Sequence, residues 1–337
     1  MNLKIMKMDN QHRRVYITGG AGYVGAVLVP KLLERGYQVT VIDLMIYGVD
    51  VIEPHERLTL IKGDIRDAAL LRKTIAGHDV VIHLACISND PSFELNPELG
   101  KSINLNAFEP LVSISKELGV SRFVYASSSS VYGVKEELNV HEEMSLEPLT
   151  DYSKFKAECE RILLGFGSPS FATVIIRPAT VCGYSPRQRL DVVVNILTNL
   201  AFHKREISVF GGHQLRPNIH IDDMADVYIK VIEADASKVA GQIFNVGTEN
   251  QTVLELAETV RSVVGMDVRL VTTPSNDNRS YHISSRKIAN ALGFRPKKSI
   301  SQASADLKQA LEQGRLPNSL TDERFFNIKR MQSIDLI

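Results

Sequence analysis

Apolar residues along the first half of the chain follow two alternating patterns. Short runs rich in β-branched residues are separated by longer segments in which apolar residues recur at helical spacing, as Val24, Leu28 and Leu32 do after the first run. Such alternation is typical of βαβ units with parallel strands and right-handed crossovers. We therefore expect an α/β fold built on a doubly wound parallel sheet of the Rossmann type. The predicted strands are residues 14–18, 38–43, 58–61, 80–84, 123–127 and 173–177, and the predicted long helices are residues 22–35, 101–118 and 152–164.

The pattern changes after residue 177. Proline and glycine residues such as Pro186, Gly211 and Pro217 break the chain into short elements, with residues 207–210 and 242–246 as predicted strands. We interpret residues 1–177 as one domain. Residues 178–337 are expected to form mainly a second, smaller domain, part of which returns to the first.

Charge and composition exclude several classes of protein. Lys plus Arg and Asp plus Glu both number 39, so the chain lacks the basic excess that a nucleic-acid or acidic-membrane surface needs. No run of about 18 apolar residues occurs, and the first residues lack the apolar core of a signal peptide. The three cysteines are too widely spaced to indicate a disulfide framework or a metal site. We expect a cytoplasmic protein that binds no metal, nucleic acid or membrane.

A set of glycines follows the first predicted strand. Gly19, Gly22 and Gly25 stand at GxxGxxG spacing between a strand and an amphipathic helix. The first permits a tight turn, the second lets the backbone approach a pyrophosphate at the helix N-terminus, and the third lets the helix pack on the strand. Asp43 ends the next predicted strand, where a carboxylate accepts hydrogen bonds from ribose hydroxyls and repels a 2′-phosphate. The pattern predicts a dinucleotide site that prefers NAD to NADP.

Candidate catalytic residues lie further along. Tyr152 and Lys156 are four residues apart and share one face of a predicted helix. An ammonium beside the phenol would lower its pKa from about 10 and make it an acid or base near neutral pH. Upstream, serines 127–130 follow a predicted strand, and strand carboxyl ends line the ligand crevice of such a sheet. These hydroxyls could bind a substrate oxygen, or they could cap the next element.

Taken together, these features resemble a known family. The ordered motifs are Gly19-x-x-Gly22-x-x-Gly25, then Gly-Asp-Ile-Arg-Asp at residues 63–67, His-Leu-Ala at 83–85, Ser-Ser-Val-Tyr-Gly at 129–133, and Tyr152-x-x-x-Lys156. Over residues 14–307 this set closely resembles the extended short-chain dehydrogenase/reductase family, in which sugar-nucleotide enzymes such as UDP-galactose 4-epimerase bind NAD. The resemblance implies an NAD-binding first domain, a substrate-binding second domain and a Ser128, Tyr152 and Lys156 catalytic centre.

The motifs and the resemblance together give a set of expected cofactor contacts. These are Gly19, Gly22, Tyr23, Val24, Gly25, Asp43, Asp64, Ile65, Leu84, Ala85, Ser127, Tyr152, Lys156, Pro178 and Val181.

The substrate implied by the resemblance is a nucleotide-diphosphate sugar. Residues 176–183 resemble the family's Arg-Pro-x-Asn-x-Tyr-Gly segment, although Thr180 replaces the asparagine. Arg216 matches the family's diphosphate-binding arginine, and Arg279 offers a second cation, because a guanidinium fork suits a diphosphate. Arg187 and Arg189 could add to this anion site or could be solvated. The expected substrate contacts are Ser88, Asn89, Ser128, Ser129, Thr180, Arg187, Arg216 and Arg279.

The resemblance also bears on the reaction. The family's sugar dehydratases carry Asp-Glu directly after the catalytic hydroxyl residue, where this chain has Ser129 and Ser130. The cysteine of the 3,5-epimerases and the acid of the decarboxylases are absent near Ser130 as well. We therefore predict a 4-epimerase that works through a transient 4-ketosugar. The alternatives are a 4-dehydrogenase or 4-ketoreductase, and a dinucleotide-binding module without catalysis.

Relatives commonly form homodimers by packing two helices of each subunit into a four-helix bundle. The equivalent helices here are residues 101–118 and 152–164, and we predict a homodimer on that basis. Their apolar residues could instead face the protein's own sheet. The residues concerned are Ile103, Leu105, Leu111, Val112, Ile114, Phe155, Ile162 and Leu163.

Overall fold

The computed structural model describes residues 13–88, 90–137, 139–275, 280, 282–334 and 336. Its strands, in chain order, are β1 (Arg14–Thr18), β2 (Gln38–Asp43), β3 (Leu58–Lys62), β4 (Val80–His83), β5 (Arg122–Ala126), β6 (Ala172–Pro178), β7 (Thr180–Cys182), β8 (Glu206–Phe210), β9 (Leu215–His220), β10 (Gln242–Val246), β11 (Glu249–Thr252) and β12 (Arg269–Thr273). Seven of them form one parallel sheet in the order β3-β2-β1-β4-β5-β6-β10. The predicted doubly wound parallel sheet is confirmed.

Helices cover both faces of this sheet and alternate with short strands in the second half of the chain. They are α1 (Gly25–Glu34), α2 (Ala68–Ile75), α3 (Asp90–Glu94), α4 (Pro97–Lys101), α5 (Phe108–Glu117), α6 (Asp151–Phe166), α7 (Val193–Lys204), α8 (Ile221–Glu233), α9 (Ala236–Val239), α10 (Val253–Val264), α11 (Arg286–Leu292), α12 (Ile300–Glu312) and α13 (Asn327–Ser333). A π-helical turn (Ser102–Asn106) and two 3₁₀ turns (Ser129–Tyr132 and Glu323–Phe325) complete the set. Among the described residues, no helix is both long and apolar enough to cross a membrane.

The two faces of the central sheet carry separate cores because side chains alternate along each strand. In β1, Ile17 packs into the core on one face and Tyr16 into the core on the other, and both are fully buried. All four residues of β4 are buried, which is typical of a parallel strand covered on both sides. Burying one large apolar side chain contributes about 1.5–3 kcal/mol, so these rows stabilise the sheet and fix its register.

Part of the second half of the chain completes this sheet. β10 pairs in parallel with β6, and α8 packs against α1. The other late strands form a three-stranded sheet in the order β11-β9-β7 and a two-stranded sheet of β8 and β12. The division into domains at residue 177 stays a prediction.

The helix predicted over residues 101–118 is interrupted. Asn104 turns its side chain onto the loop after β4, accepting a hydrogen bond from the Ile87 amide at 2.8 Å and donating to the Ile87 carbonyl at 2.9 Å. Its own carbonyl accepts the Cys159 thiol at 3.2 Å. These contacts accompany the π-helical turn between α4 and α5, a distortion that frequently lies near functional sites.

The apolar residues on which the homodimer prediction rests divide into two groups. Leu105, Phe155 and Ile162 are half-buried. The others pack into the chain's own core, as the alternative interpretation expected, and their exposure is 5% or less: Ile103, Leu111, Val112, Ile114 and Leu163.

Candidate active site

A cavity of about 450 Å³ lies at the carboxyl ends of the central strands. β1 pairs with β2 on one side and with β4 on the other, so the order of the sheet reverses at β1. Ligands of doubly wound sheets bind in the crevice at this reversal. The cavity extends from the end of β2, at Asp43, to the start of α6, at Tyr152.

The glycine-rich turn after β1 forms one wall. Gly19 has a left-handed backbone (φ +71°), and a Cβ built on it would lie 2.5 Å from the Ala85 amide nitrogen. A Cβ on Gly25 would lie 2.2 Å from the Gly20 carbonyl oxygen, within the turn itself. A Cβ on Gly22 would approach only the Gly19 oxygen, at 3.1 Å, and Gly22 lines the cavity. The first and third glycines therefore permit close packing, while the second keeps the turn open toward a ligand.

Two carboxylates line the same end. Asp43 accepts hydrogen bonds from the amides of Ala21 (3.0 Å) and Met45 (2.8 Å), one on each oxygen. Burial raises the pKa of Asp43, and these two bonds act against the rise. Asp64 forms an ion pair with Arg66 at 2.6 Å. Partial burial acts to raise the pKa of Asp64, but the bonds from Arg66 bring it below its ordinary value.

Ser128, Tyr152 and Lys156 line the other end of the cavity. Ser128 begins the 3₁₀ turn after β5 and accepts a hydrogen bond from the Ser130 amide at 3.1 Å. Tyr152 is the second residue of α6, whose start is fixed by a reciprocal hydrogen-bond pair between Thr150 and Ser153. Helical periodicity places Lys156 one turn later on the same face.

An aromatic stack holds Lys156 in place. The imidazole of His83 stacks on Tyr125 with ring centroids 5.7 Å apart, and the Lys156 ammonium lies 4.9 Å from the centre of the Tyr125 ring. The ammonium donates to the Ala126 carbonyl at 2.7 Å. Burial, followed by the charge of Lys156, lowers the pKa of His83 to about 3, so this imidazole is neutral at pH 7.

The expected net lowering of the pKa of Tyr152 does not hold in the protein without ligands, because burial outweighs the positive charges around the phenol. Burial raises the pKa of Tyr152 well above its ordinary value, and the charge of Asp90 adds to the rise. The largest opposing influence is the charge of Arg189, followed by a hydrogen bond from Ser128. The Lys156 ammonium lies 5.8 Å from the centre of the Tyr152 ring and is directed to the Ala126 carbonyl.

The structure brings all of the expected cofactor contacts to one cavity. Gly19, Gly22, Tyr23, Val24, Gly25, Asp43, Asp64, Ile65, Leu84, Ala85, Ser127, Tyr152, Lys156, Pro178 and Val181 all line it. Of the expected substrate contacts, Ser88, Ser128, Ser129, Thr180, Arg187 and Arg216 line it as well. Asn89 and Arg279 lie outside the described residues.

Among the cavity residues that were not anticipated from the sequence, Tyr47 and Asn327 both contact Arg187. Tyr47, in the loop after β2, stacks on Arg187, with the guanidinium carbon 3.5 Å from the ring centre. Asn327, at the start of α13, accepts a hydrogen bond from Arg187 at 2.7 Å and donates one to Ser88 at 3.0 Å. No motif surrounds either residue. Only the fold of the C-terminal segment across the cavity reveals Asn327.

One histidine and two carboxylates gather elsewhere. Ligand atoms of His220, Asp222 and Asp306 lie within 4.8 Å of one another. The Lys298 ammonium is 2.7 Å from Asp222 and 3.2 Å from Asp306. Lys298 therefore already supplies the positive charge that these carboxylates need, and the cluster is an ion-pair network.

Comparisons with known proteins define the class. A model of the NAD dependent epimerase/dehydratase family matches residues 15–247. UDP-glucose 4-epimerase of Lactobacillus helveticus is 25% identical, over 84% of this chain and 92% of its own length. dTDP-glucose 4,6-dehydratase of Streptomyces niveus is 28% identical, over 84% of this chain and 88% of its own. The solved structure of MoeE5 in complex with UDP-glucuronic acid and NAD is 25% identical, with a TM-score of 0.79 over 89% of this chain and 99% of that one.

The protein is thus an NAD-dependent enzyme of the sugar-nucleotide epimerase and dehydratase type. The chain belongs to the NAD-dependent epimerase/dehydratase family, a branch of the extended short-chain dehydrogenases/reductases. The residues present fit the cofactor: Gly22 leaves room at the turn for a pyrophosphate, and Asp43 stands where a ribose would be held. The predictions of family, enzyme and NAD are confirmed.

Proposed function

We propose that the protein is a nucleotide-sugar 4-epimerase. The observation that carries this proposal is the position of Ser128 and Tyr152 in the same cavity as the glycine turn and Asp43. A sugar held beside Tyr152 would therefore meet the reactive end of a dinucleotide that extends from Asp43. Family membership and the similarity to a 4-epimerase support a nucleotide-diphosphate sugar as the substrate.

Each catalytic side chain has a distinct role in this proposal. Tyr152 removes the proton of the sugar 4-hydroxyl and later returns it, and Ser128 hydrogen-bonds the same oxygen while its charge changes. Lys156 adds positive charge close to the phenol from its place on the Ala126 carbonyl. Bound NAD would supply the acceptor and donor of the hydride that leaves C4 and returns to it. Inversion at C4 requires the 4-ketosugar to turn over between the two transfers, and Arg216 is proposed to hold its diphosphate meanwhile.

The side chains beside Tyr152 argue against dehydration. Loss of water from a ketosugar needs both a base and an acid at the reacting carbons. The positions after Ser128 carry hydroxyls, and Ser128 Oγ and Ser130 Oγ are 2.8 Å apart. Among the described cavity residues, Asp90 is the carboxylate near Tyr152, and it accepts the Thr150 hydroxyl at 2.5 Å. One carboxylate that is already engaged supports a reaction confined to C4.

The test is incubation of the purified protein with NAD and, separately, UDP-glucose, UDP-galactose, UDP-arabinose and UDP-glucuronate. Proton NMR follows the sugar, and absorbance follows reduced cofactor. A 4-epimerase interconverts the C4 epimers without net reduction of NAD. Stoichiometric reduced NAD together with a keto product would establish a 4-dehydrogenase instead. Dinucleotide binding without turnover of any sugar would contradict both and indicate a binding module.

We also propose a homodimer that packs the helical segments 101–118 and 152–164 against their symmetry mates, with Leu105, Phe155 and Ile162 as the half-buried apolar residues of the contact. An isologous contact of this kind places the same surface on both sides of a twofold axis. Light scattering at micromolar concentration measures the mass, and a monomeric value would refute the proposal. Cytoplasmic location stays a prediction.

A further inference from the structure

The loop that follows β7 lies across the glycine-rich turn. The hydroxyl of Tyr23, a residue of that turn, donates to the Gly183 carbonyl at 2.7 Å and accepts from Asn195 at 2.9 Å. Ser185 donates to the Tyr23 carbonyl at 2.8 Å. The loop therefore faces the same part of the cavity as the turn, from the other side.

Arg187 on this loop is a buried cation without a described carboxylate in ion-pair contact. Its side chain is 3% exposed and lines the cavity. It donates to Asn327 at 2.7 Å and to the Gln188 carbonyl at 3.4 Å, and both of these acceptors are uncharged. Within the described chain, its Nε is buried without a hydrogen-bond partner. Neighbouring Arg189 also has a buried nitrogen without a hydrogen-bond partner in the described chain, but it differs in forming an ion pair with Asp191 at 2.9 Å.

A buried guanidinium that has no ion-pair contact destabilises the protein that carries it, and the anion of a ligand would relieve this cost. Burial already lowers the pKa of Arg187 to about 10. The cavity wall thus offers a positive charge and an unused N–H donor opposite a turn that is suited to phosphate oxygens.

We propose that Arg187 binds a diphosphate from the side of the cavity opposite the glycine-rich turn. This diphosphate belongs to NAD and not to the nucleotide sugar. The neighbours of Arg187 decide between these two sources. Its guanidinium stacks on Tyr47, four residues after Asp43, and its charge acts on the Asp43 carboxylate. Arg216, on β9, remains the candidate for the substrate diphosphate. Arg187 therefore moves from the expected substrate contacts to the cofactor contacts.

Asn327 is a positioning residue for Arg187. Its carboxamide joins Arg187 to Ser88, and its backbone amide donates to Asp191 at 2.9 Å. Arg330, one turn later in α13, donates to the Ile46 carbonyl beside Tyr47 at 2.5 Å. The C-terminal segment thereby ties the loops after β2, β4 and β7 together around one guanidinium.

The test compares ligands that differ in the diphosphate. Calorimetric titrations of wild type and Arg187→Met use ADP-ribose, adenosine and UDP. A charge-assisted hydrogen bond makes ADP-ribose binding roughly ten- to hundredfold weaker in the variant, with adenosine and UDP unchanged. Arg324→Met is the matched control, because this arginine of the C-terminal segment pairs with Asp322 at the surface. Unchanged ADP-ribose affinity would overturn the proposal, and weakened UDP binding would assign Arg187 to the substrate instead.

Thermal unfolding adds a readout that a purely structural arginine would not give. Loss of a buried charge that has no described ion-pair contact should leave the ligand-free melting temperature of Arg187→Met unchanged or higher, while the rise on adding NAD becomes smaller. A lower ligand-free value with an unchanged rise on adding NAD would identify a structural role and refute the proposal. Asn327→Ala keeps the cation and loses its support, so ADP-ribose binding should weaken less than in Arg187→Met. The inference rests on NAD as cofactor, so its failure leaves the proposed 4-epimerase reaction untouched.

Discussion

The two ends of the cavity are built in opposite ways. At the Asp43 end, both carboxylates are already bonded within the protein: Asp43 accepts hydrogen bonds from two backbone amides and Asp64 forms an ion pair with Arg66. At the Tyr152 end, burial raises the pKa of the half-buried tyrosine, and side chains from three separate segments modify this pKa further. The carboxylates of the first end are therefore held in position before any ligand binds. The second depends on charges that distant parts of the chain supply, so it is easier to retune.

The sharpest test of the Tyr152 end of the cavity is removal of the Tyr152 hydroxyl. Tyr152→Phe keeps the ring and loses the proton carrier, so turnover should fall about 10²–10⁴-fold. NAD affinity should stay near the wild-type value, because the Asp43 end is unaltered. Measurement of kcat by NMR and of NAD affinity by calorimetry checks both. Near-full turnover in the variant would exclude this tyrosine as the acid/base.

Two glycines of the glycine-rich turn test the Asp43 end of the cavity. In Gly25→Ala the added Cβ would lie 2.2 Å from the Gly20 oxygen, so backbone must shift. We expect a loss of about 1–3 kcal/mol in the free energy of unfolding, with weaker NAD binding as a result. In Gly22→Ala the added Cβ would lie 3.1 Å from the Gly19 oxygen, so the free energy of unfolding should change less. NAD should still bind more weakly to this variant. Urea unfolding and calorimetry compare them, and equal stability loss in both would contradict the division of roles within the turn.

Asp43 distinguishes the two nicotinamide dinucleotides. Its carboxylate should repel a 2′-phosphate, so the wild type should bind NAD more tightly than NADP, and Asp43→Asn should narrow that gap by roughly tenfold. The amide keeps the size of the side chain. Titration of both dinucleotides into both proteins gives the ratio. Equal affinity of the wild type for NAD and NADP would remove Asp43 from this role.

The difference between the ends also explains what the sequence could predict. The glycine turn, Asp43 and the doubly wound sheet follow from short contiguous segments, in which spacing and strand or helix periodicity specify the geometry. Tyr47 and Asn327 could not be found that way, because Asn327 reaches Arg187 across 140 residues of chain. The proposed assignment of Arg187 to the cofactor and not to the substrate also depends on how the C-terminal segment folds across the cavity. The raised pKa of Tyr152 could not be predicted from the sequence, because helical spacing shows that Lys156 is near but not that the fold buries the phenol.

The smallest expected effect is a shift in the pH dependence of kcat. Tyr152 must lose its proton to act as a base, and burial holds its pKa above the ordinary value in the free protein. Activity should therefore rise with pH until the phenol in the enzyme–substrate complex has titrated. Arg189 is the charge that most opposes the burial, so Arg189→Gln should raise that apparent pKa and move the rising limb to higher pH.

Lys156→Met is the informative comparison for Arg189→Gln. The Lys156 ammonium is directed to the Ala126 carbonyl, and its influence on the phenol is smaller than that of Arg189, so its removal should move the limb in the same direction but less far. Profiles of kcat against pH at saturating NAD and sugar measure both shifts, and Tyr152→Phe supplies the baseline without a titrating phenol. A larger shift for Lys156→Met than for Arg189→Gln would reverse the assignment. The pKa of Tyr152 would then be controlled from within its own helix, α6. The contrast between the two ends of the cavity would lose its main support.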